Sequence, residues 1–538
     1  MPLRNHALVV RSCFAGVGAL LAVGLASCSS DDTGHNNDPL PMGGSAGVAG
    51  QAGGGAGGVG GAGGVAGIGG MGGAGGVGGV GGASGAGGVG GMGGAGGASG
   101  IGGAGGDAGG GAGGMGGDGD GGGGAGGGGG TGPEPIECES TAPEEFEAND
   151  TPGGGGGSFT DSPHFRLFGA SGATAEDALD QLEAAYACFV ETLCWRSSGL
   201  SIHDDSDSGP YQRMNIYSVG SLGGAGGQMF SDAGEGLAFL RVVSGYLSQA
   251  QVIVHEYGHA LTYYEKGWID QTRTGAWWET VANFVADTYM TSPICEEART
   301  RFGQSEGNTI IELNRVIGDS YQVIVDGTAG SGNYYQAWPF LTYLTNNPDG
   351  YAGLGLTALR DMFRQHMGNN ETPLHVLERV ADPISVQQIV GRYWARMAYL
   401  DIGHPQAQEE FLSSRGGLNF ANLDSAGSGM YRVKSGRRPR YFGSNIIPLT
   451  GSGAISVEVT SSDPFTATLS VRASSGSVRY VDLPGGTGEA TLAAGEEASL
   501  VVVNTPDTLY TYDPFSISAE AGAGLDYEVQ LTGATLAD

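Results

Sequence analysis

Hydrophobic positions along this chain follow two regimes, with a break near residue 440. Before the break, helical spacing dominates. Leu179, Leu182, Tyr186, Phe189 and Leu193 recur at three- and four-residue steps, predicting a helix over Thr174–Trp195 with Thr174 and Asp177 suited to its start. Val252, Val254, Ala260 and Leu261 give Val252–Tyr263 (VIVHEYGHALTY) a buried face, and Ser248 and Gln251 have capping-box spacing at its entry. Within Gly275–Met290, Trp278, Val281, Val285 and Thr288 follow one helical face, while Glu279, Ala282, Asn283 and Ala286 follow another. Further helices are expected over Leu356–Met367, Pro373–Ala381 and Ser385–Leu400. The runs His164–Phe168, Arg213–Val219 and Gly236–Val243 read as strands, and Gly223–Gly227 as a loop. The Gly236–Val243 strand, just before the VIVHEYGHALTY helix, is a candidate edge for pairing with an extended peptide. Gly416–Arg440 reads as a loop-rich, basic connection. Beyond it the period changes to two, as in Ile455/Val457/Val459 and Phe465/Ala467/Leu469/Val471. About seven short strands over roughly 100 residues predict an antiparallel β-sandwich.

Composition changes the reading of the N-terminal part. Of 538 residues, 108 are glycine, and most of them fall in Gly43–Gly132, in G-G-x triplets without proline. Such a tract reads as a flexible tether, with an r.m.s. reach of about 50 Å for about 90 residues. Ahead of it, Arg4 and Arg11 form a basic start before the apolar stretch Phe14–Ala26, which is too short to span a bilayer, and Met1–Cys28 reads as a signal peptide. Leu25-Ala26-Ser27-Cys28 resembles the bacterial lipobox, and that resemblance implies lipidation of Cys28 and membrane attachment through the lipid. The expected organisation is therefore a signal over 1–28, a tether and lead-in over 29–158, a catalytic-type domain over 159–440 and the sandwich over 441–538. Cys138, Cys188, Cys194 and Cys295 remain for the exported part and suggest two disulfides, with three connectivities open. Cys188 and Cys194 lie on different sides of one helix and are not expected to pair with each other. A formal net charge of −32 argues against a nucleic-acid partner. A monomer is expected.

The candidate chemistry lies in His255-Glu256-Tyr257-Gly258-His259, the pattern H-E-x-x-H. On a helix, residues i and i+4 share a face, so His255 and His259 can grip one Zn²⁺ while Glu256 serves as general base toward a water. A hydrolytic zinc site takes three protein ligands. Glu279, on the next helix, is one candidate for the third. Glu265, six residues after His259, competes, and Asp287 is a weaker option better suited to supporting a ligand histidine.

The twenty-residue step from His259 to Glu279 resembles that of the gluzincins, the thermolysin-like zinc peptidases, whose third ligand is a glutamate on the following long helix. The metzincin pattern fits poorly, because Thr262 and Glu265 stand where it has glycine and histidine. The gluzincin resemblance implies an α+β protein with a mixed α/β catalytic core, Zn²⁺ on His255, His259 and Glu279, and a tyrosine or histidine that donates to the developing oxyanion. Tyr334, Tyr335 and His404 are the candidates, with Tyr335 and His404 preferred. Gluzincins commonly carry an acidic residue where this chain has Asn283, so Asn283 and Asp287 are the candidate supports around the ligands. From about Pro163 onward, SPHFRLFG, SLGGAGG, HEYGHALTYY, GAWWETVANFVAD, NYYQAWPFLTYL and SLVVVNTP also resemble a family of secreted microbial proteins classed only as a domain of unknown function. The function expected is an exported, lipid-anchored zinc metallopeptidase acting on a peptide or protein substrate. The rival reading is a surface adhesin or glycan-binding lipoprotein with a vestigial or structural zinc site.

Overall fold

The computed structural model describes residues 136–138, 142–269, 271–328 and 330–537. The signal-like segment, Cys28 and the glycine tract lie outside the described residues. The fold is mixed α+β with two sheets.

The first sheet holds β1 (Phe159–Asp161), β2 (Phe165–Phe168), β3 (Met214–Val219), β4 (Gly227–Asp232) and β5 (Leu237–Val243), in the order β1-β2-β3-β5-β4. Strands β2, β3 and β5 run parallel, and β1 and β4 are antiparallel edges. Between β2 and β3 runs helix α1 (Ala173–Tyr186), which widens into a π turn over Ala187–Thr192. Alternation sends Phe165, Leu167, Ile216, Met229, Leu240 and Val242 into the main core. On the opposite face, Phe168 stacks on Tyr217, which meets Phe239, which stacks on Phe230. The lead-in covers that face. Tyr217 donates to the Pro152 carbonyl (2.7 Å) and accepts from the Gly155 N–H (3.0 Å). Packing thus begins well before His164: Phe146 is buried against the rings of His164 and Tyr186.

Two helices carry the candidate chemistry, α2 (Ala250–Tyr264) and α3 (Trp277–Thr291). The Ser248/Gln251 capping box does not form, since Gln249 is the N-cap and makes no side-chain cap. The helix does not depend on one: every side chain from Val252 to Tyr264 is buried, so tertiary packing supplies its stability. Two disulfides, Cys138–Cys194 and Cys188–Cys295, tie the lead-in and the α3 exit to the α1 region. They fit maturation in an oxidising, extracytoplasmic compartment.

The second sheet comprises β6 (Leu423–Gly427), β7 (Met430–Val433), β8 (Ser444–Thr460), β9 (Phe465–Arg472), β10 (Val478–Asp482), β11 (Thr487–Leu492), β12 (Glu497–Asn504) and β13 (Glu528–Leu536). Their order is β10-β9-β12-β8-β13-β7-β6, with β11 on β8, and every pairing is antiparallel. One long strand organises it. The first part of β8 pairs with β12 and the second part with β11, while β13 follows its other edge through a bulge. The result is one continuous sheet folded around its own core of Val457, Leu469, Leu500, Val502 and Val529. Gly416–Arg440, expected as a loop-rich connection, contributes β6 and β7, because Leu423 and Val433 are buried.

The sheet is fused to the helical part. Tyr441, Phe442, Ile446, Val501, Val503 and Tyr512 belong to the main core cluster. Trp394 Nε1 donates to the Phe442 carbonyl (2.8 Å), Ser470 Oγ to the Ala395 carbonyl (2.7 Å), and the Tyr480 hydroxyl to Asp401 (2.6 Å). Among the described residues no helix is long and apolar enough to cross a membrane.

Candidate metal centre

Helix α2 presents His255, Glu256 and His259 in its second and third turns, all buried. Helix α3 brings Glu279 to them because of Gly258. A Cβ added at Gly258 would stand 2.8 Å from Ala282 Cα and 3.1 Å from Val285 Cβ, so any side chain there would push the helices apart. The glycine costs about 1 kcal/mol of helix propensity, and the close approach it permits sets the site.

Glu279 Oε2 lies 3.3 Å from His255 Nε2 and 3.5 Å from His259 Nε2, and the three ligand atoms fall within 4.8 Å of one another. Four ligands at zinc-like distances around a tetrahedral ion lie about 3.3–3.4 Å apart, so the observed edges are those of a metal-ligand set. These atoms have no hydrogen-bond partner otherwise: His255 Nε2, His259 Nε2 and Glu279 Oε2 are buried and unsatisfied, as are both Glu256 oxygens. Five orphaned polar atoms around one point are what a bound cation and its water would satisfy. The residues therefore fit a metal ion.

Asn283 stands one turn after Glu279 and touches the site. Its Nδ2 donates to the Tyr335 carbonyl (2.6 Å), which can only accept, and this fixes the amide with Oδ1 toward His255 Nδ1 (2.8 Å). His255 therefore carries its proton on Nδ1 and directs the Nε2 lone pair to the centre. The amide does the orienting work of a carboxylate without adding charge.

Electrostatics separate the two glutamates. Burial pushes the Glu256 carboxyl up to about 8, with the Glu279 charge adding to the shift and His255 opposing it. Burial also works against ionisation of Glu279, but the two histidines outweigh it and hold this carboxyl down at about 2. Burial works to lower the His255 pKa, yet Glu279 and Glu256 turn the net shift upward. Burial prevails at His259, whose pKa is lowered.

Three candidate residues do not join the centre. Asp287 lies eight residues beyond Glu279, about 12 Å along α3. Its Oδ2 accepts from His404 Nε2 (2.6 Å), and its Oδ1 from Thr309 Oγ1 and the Ile310 N–H (both 2.8 Å). His404 Nδ1 accepts from the Ala407 N–H (3.2 Å) as the N-cap of the Pro405–Ser414 helix. Asp287 thus supports His404 rather than a ligand histidine, and His404 has both ring nitrogens committed away from the centre. Glu265, the rival ligand, accepts from the Arg196 N–H (2.6 Å) and from Arg364 (3.2 Å). Tyr335 is tied to α3 through its carbonyl, which accepts from Asn283 Nδ2 (2.6 Å); burial raises the pKa of its hydroxyl, and the charges of Glu279 and Glu256 add to the shift.

One element beside the site escaped the sequence reading. Strand β5 (Leu237–Val243) is not an edge, since β3 and β4 flank it. The edge beside α2 is β4, and a Cβ at its Gly227 would meet Glu256 Cγ at 2.5 Å. Its signal is a two-residue apolar pair, Met229-Phe230, after a glycine loop, too short to stand out by alternation.

Fold and site together define an α+β protein with a buried His-His-Glu group able to hold a metal ion. Residues 168–464 match a family described as "Family of unknown function (DUF6055)", and the chain belongs to that family. The match contains all three residues of that group and Glu256. No curated protein and no solved structure matches the chain.

Asn283→Ala is expected to lower metal affinity about 10–100-fold while leaving the fold intact, measured by competition with a chromophoric chelator. An unchanged affinity would show that the amide does not orient His255. A second outcome concerns pH in metal-free protein. Unfolded Glu256 ionises near its ordinary 4.5, but folded Glu256 keeps its proton to about 8, so the folded state binds more protons between those values and stability falls as pH rises through them. Chelator-treated Glu256→Gln is therefore expected to melt above chelator-treated wild type at pH 8, by on the order of 1–3 kcal/mol, with the gap closing toward pH 5. A gap independent of pH would contradict the buried-carboxyl reading.

Proposed function

We propose that this protein is an exported, lipid-anchored zinc-dependent peptidase. The observation that carries the reading is the convergence of His255 Nε2, His259 Nε2 and Glu279 Oε2, each lacking any other partner, with Glu256 buried beside them. Two imidazoles and one carboxylate suit Zn²⁺ by donor type, and a purely structural site has no use for an adjacent buried carboxylate. His255, His259 and Glu279 would hold Zn²⁺, which would supply Lewis acidity and lower the pKa of a bound water.

The chain's own residues do the rest. Glu256 accepts the proton of the attacking water and delivers it to the leaving amine. Its carboxyl must first ionise, and the positive charge held by its three neighbours favours that form. Tyr335, held to α3 by the bond from Asn283 to its carbonyl, is the residue assigned as donor for the oxygen that gains charge. An extended substrate can add to β4, the sheet edge that runs past Glu256, through main-chain hydrogen bonds. Gly227 leaves no side chain to displace Glu256 where that strand passes it. The disulfides and the lipobox-like Cys28 support a place outside the cytoplasm, tethered through lipid.

The test pairs metal analysis with a peptide library. Purified wild type and Glu256→Gln are each expected to hold one zinc per chain. Wild type is expected to cleave a subset of the library, and Glu256→Gln to lower that cleavage by about 10²–10⁴-fold. Stoichiometric zinc with no Glu256-dependent cleavage would contradict the peptidase reading.

A further inference from the structure

An aromatic side chain from the C-terminal segment reaches the residues around the metal centre. The Tyr512 hydroxyl, buried, donates to the Val325 carbonyl (3.2 Å), and the Gly327 N–H donates to the Pro514 carbonyl (2.9 Å). Asp513 Oδ1 accepts from the Phe515 N–H (2.9 Å), closing a tight turn. These bonds fix Phe515. Its ring lies over Gly275 and Gly327, where an added Cβ would meet ring atoms at 2.7 and 2.8 Å. Missing side chains at both positions make the seat.

From that seat the ring meets Tyr334 edge-on at 6.0 Å, and Tyr334 meets Tyr335 at 4.5 Å. Both tyrosines are stitched to α3, Thr280 Oγ1 donating to the Tyr334 carbonyl and Asn283 Nδ2 to the Tyr335 carbonyl (both 2.6 Å). Gly275 precedes Glu279 by four residues, about one helical turn. Thr280 is the residue after Glu279, and Asn283 also touches His255, so the backbone of both tyrosines borders the centre. Phe515 remains 39% exposed despite this anchoring. It also lies outside residues 168–464, the part matched by the family. Scattered exposed rings are ordinary, but a ring held rigidly beside a polar centre offers apolar contact to whatever binds there.

We propose that Phe515, backed by Tyr334, forms an apolar subsite beside the metal centre that takes a large aliphatic or aromatic side chain of the substrate. Phe515 is then a specificity-determining residue, and substrate choice in this chain depends on a segment beyond the family match. The proposal rests on the hydrolase reading for the identity of the ligand as a peptide.

Binding of metal-chelating probes tests it without requiring turnover. Full-length, zinc-loaded protein is titrated calorimetrically with phenylalanine hydroxamate and glycine hydroxamate. Wild type is expected to bind the phenylalanine compound at least about 10-fold more tightly, the order expected for filling an apolar pocket. Phe515→Ala is expected to bring that ratio near one with zinc content unchanged, and Phe515→Leu to keep most of it. Phe159→Ala, which removes an exposed ring on β1, serves as the control and is expected to leave the ratio alone. A wild-type ratio near one, or a ratio that survives Phe515→Ala, would overturn the subsite. If the hydroxamate contrast holds while no Glu256-dependent cleavage is found, the subsite stands and the peptidase reading falls. Protein that takes up no zinc overturns both.

Discussion

The close contact of α2 with α3 at Gly258 is the constraint on which the site depends. A Cβ there would stand 2.8 Å from the facing helix backbone, so the two helices approach as they do only because the position is bare. That approach puts a carboxylate from one helix against two imidazoles from the other, at 3.3 and 3.5 Å. It also aligns Asn283 with His255, which sets the tautomer of one ligand. A helix pair a little further apart would keep all the residues and lose their convergence.

Convergence has a cost that the rest of the fold must offset. Burying Glu256 and Glu279 with unsatisfied oxygens is unfavourable in the metal-free chain. The surroundings are correspondingly rigid. The main core extends from the first sheet through the helices into Tyr441, Val501 and Tyr512 of the C-terminal part, and two disulfides fasten the α1 region to its neighbours. Strand β4 closes over Glu256 on one side, and the Asn333–Gln336 helix, held to α3 by Thr280 and Asn283, closes the other. The same fused core lets the Asp513–Ser516 turn carry Phe515 to Tyr334.

Local periodicity made the helices and the histidine pair legible, and the gluzincin-like spacing pointed to Glu279. The i, i+4 histidine pair is a relation within one element, whereas Glu279 lies on the next helix, and the structure brings the three together. Asn283 was visible only as a departure from an acidic pattern; its use became clear once the Tyr335 carbonyl fixed its amide. What stayed hidden was long-range. His404 and Asp287 are 117 residues apart in the chain, and their pairing removes both from the roles first considered. Strand β4 had too few alternating residues to show, and β6 and β7 were masked by a basic, glycine-containing stretch. The single folded sheet in place of two packed ones follows from the length of β8, which alternation measured only in pieces. Nothing local links Phe515 to Glu279, since the seat for its ring consists of two glycines in other segments.

His255, His259 and Glu279 are proposed to hold one metal ion. X-ray absorption at the zinc edge of the zinc-loaded protein tests it most directly. The expected result is a first shell of nitrogen and oxygen only, at about 2.0–2.1 Å, with the outer-shell pattern of two imidazoles. Loss of the imidazole signature in His255→Ala and His259→Ala would follow in proportion. A sulfur shell at about 2.3 Å, or an oxygen-only shell without imidazole scattering, would place the metal elsewhere and rule out this ligand set.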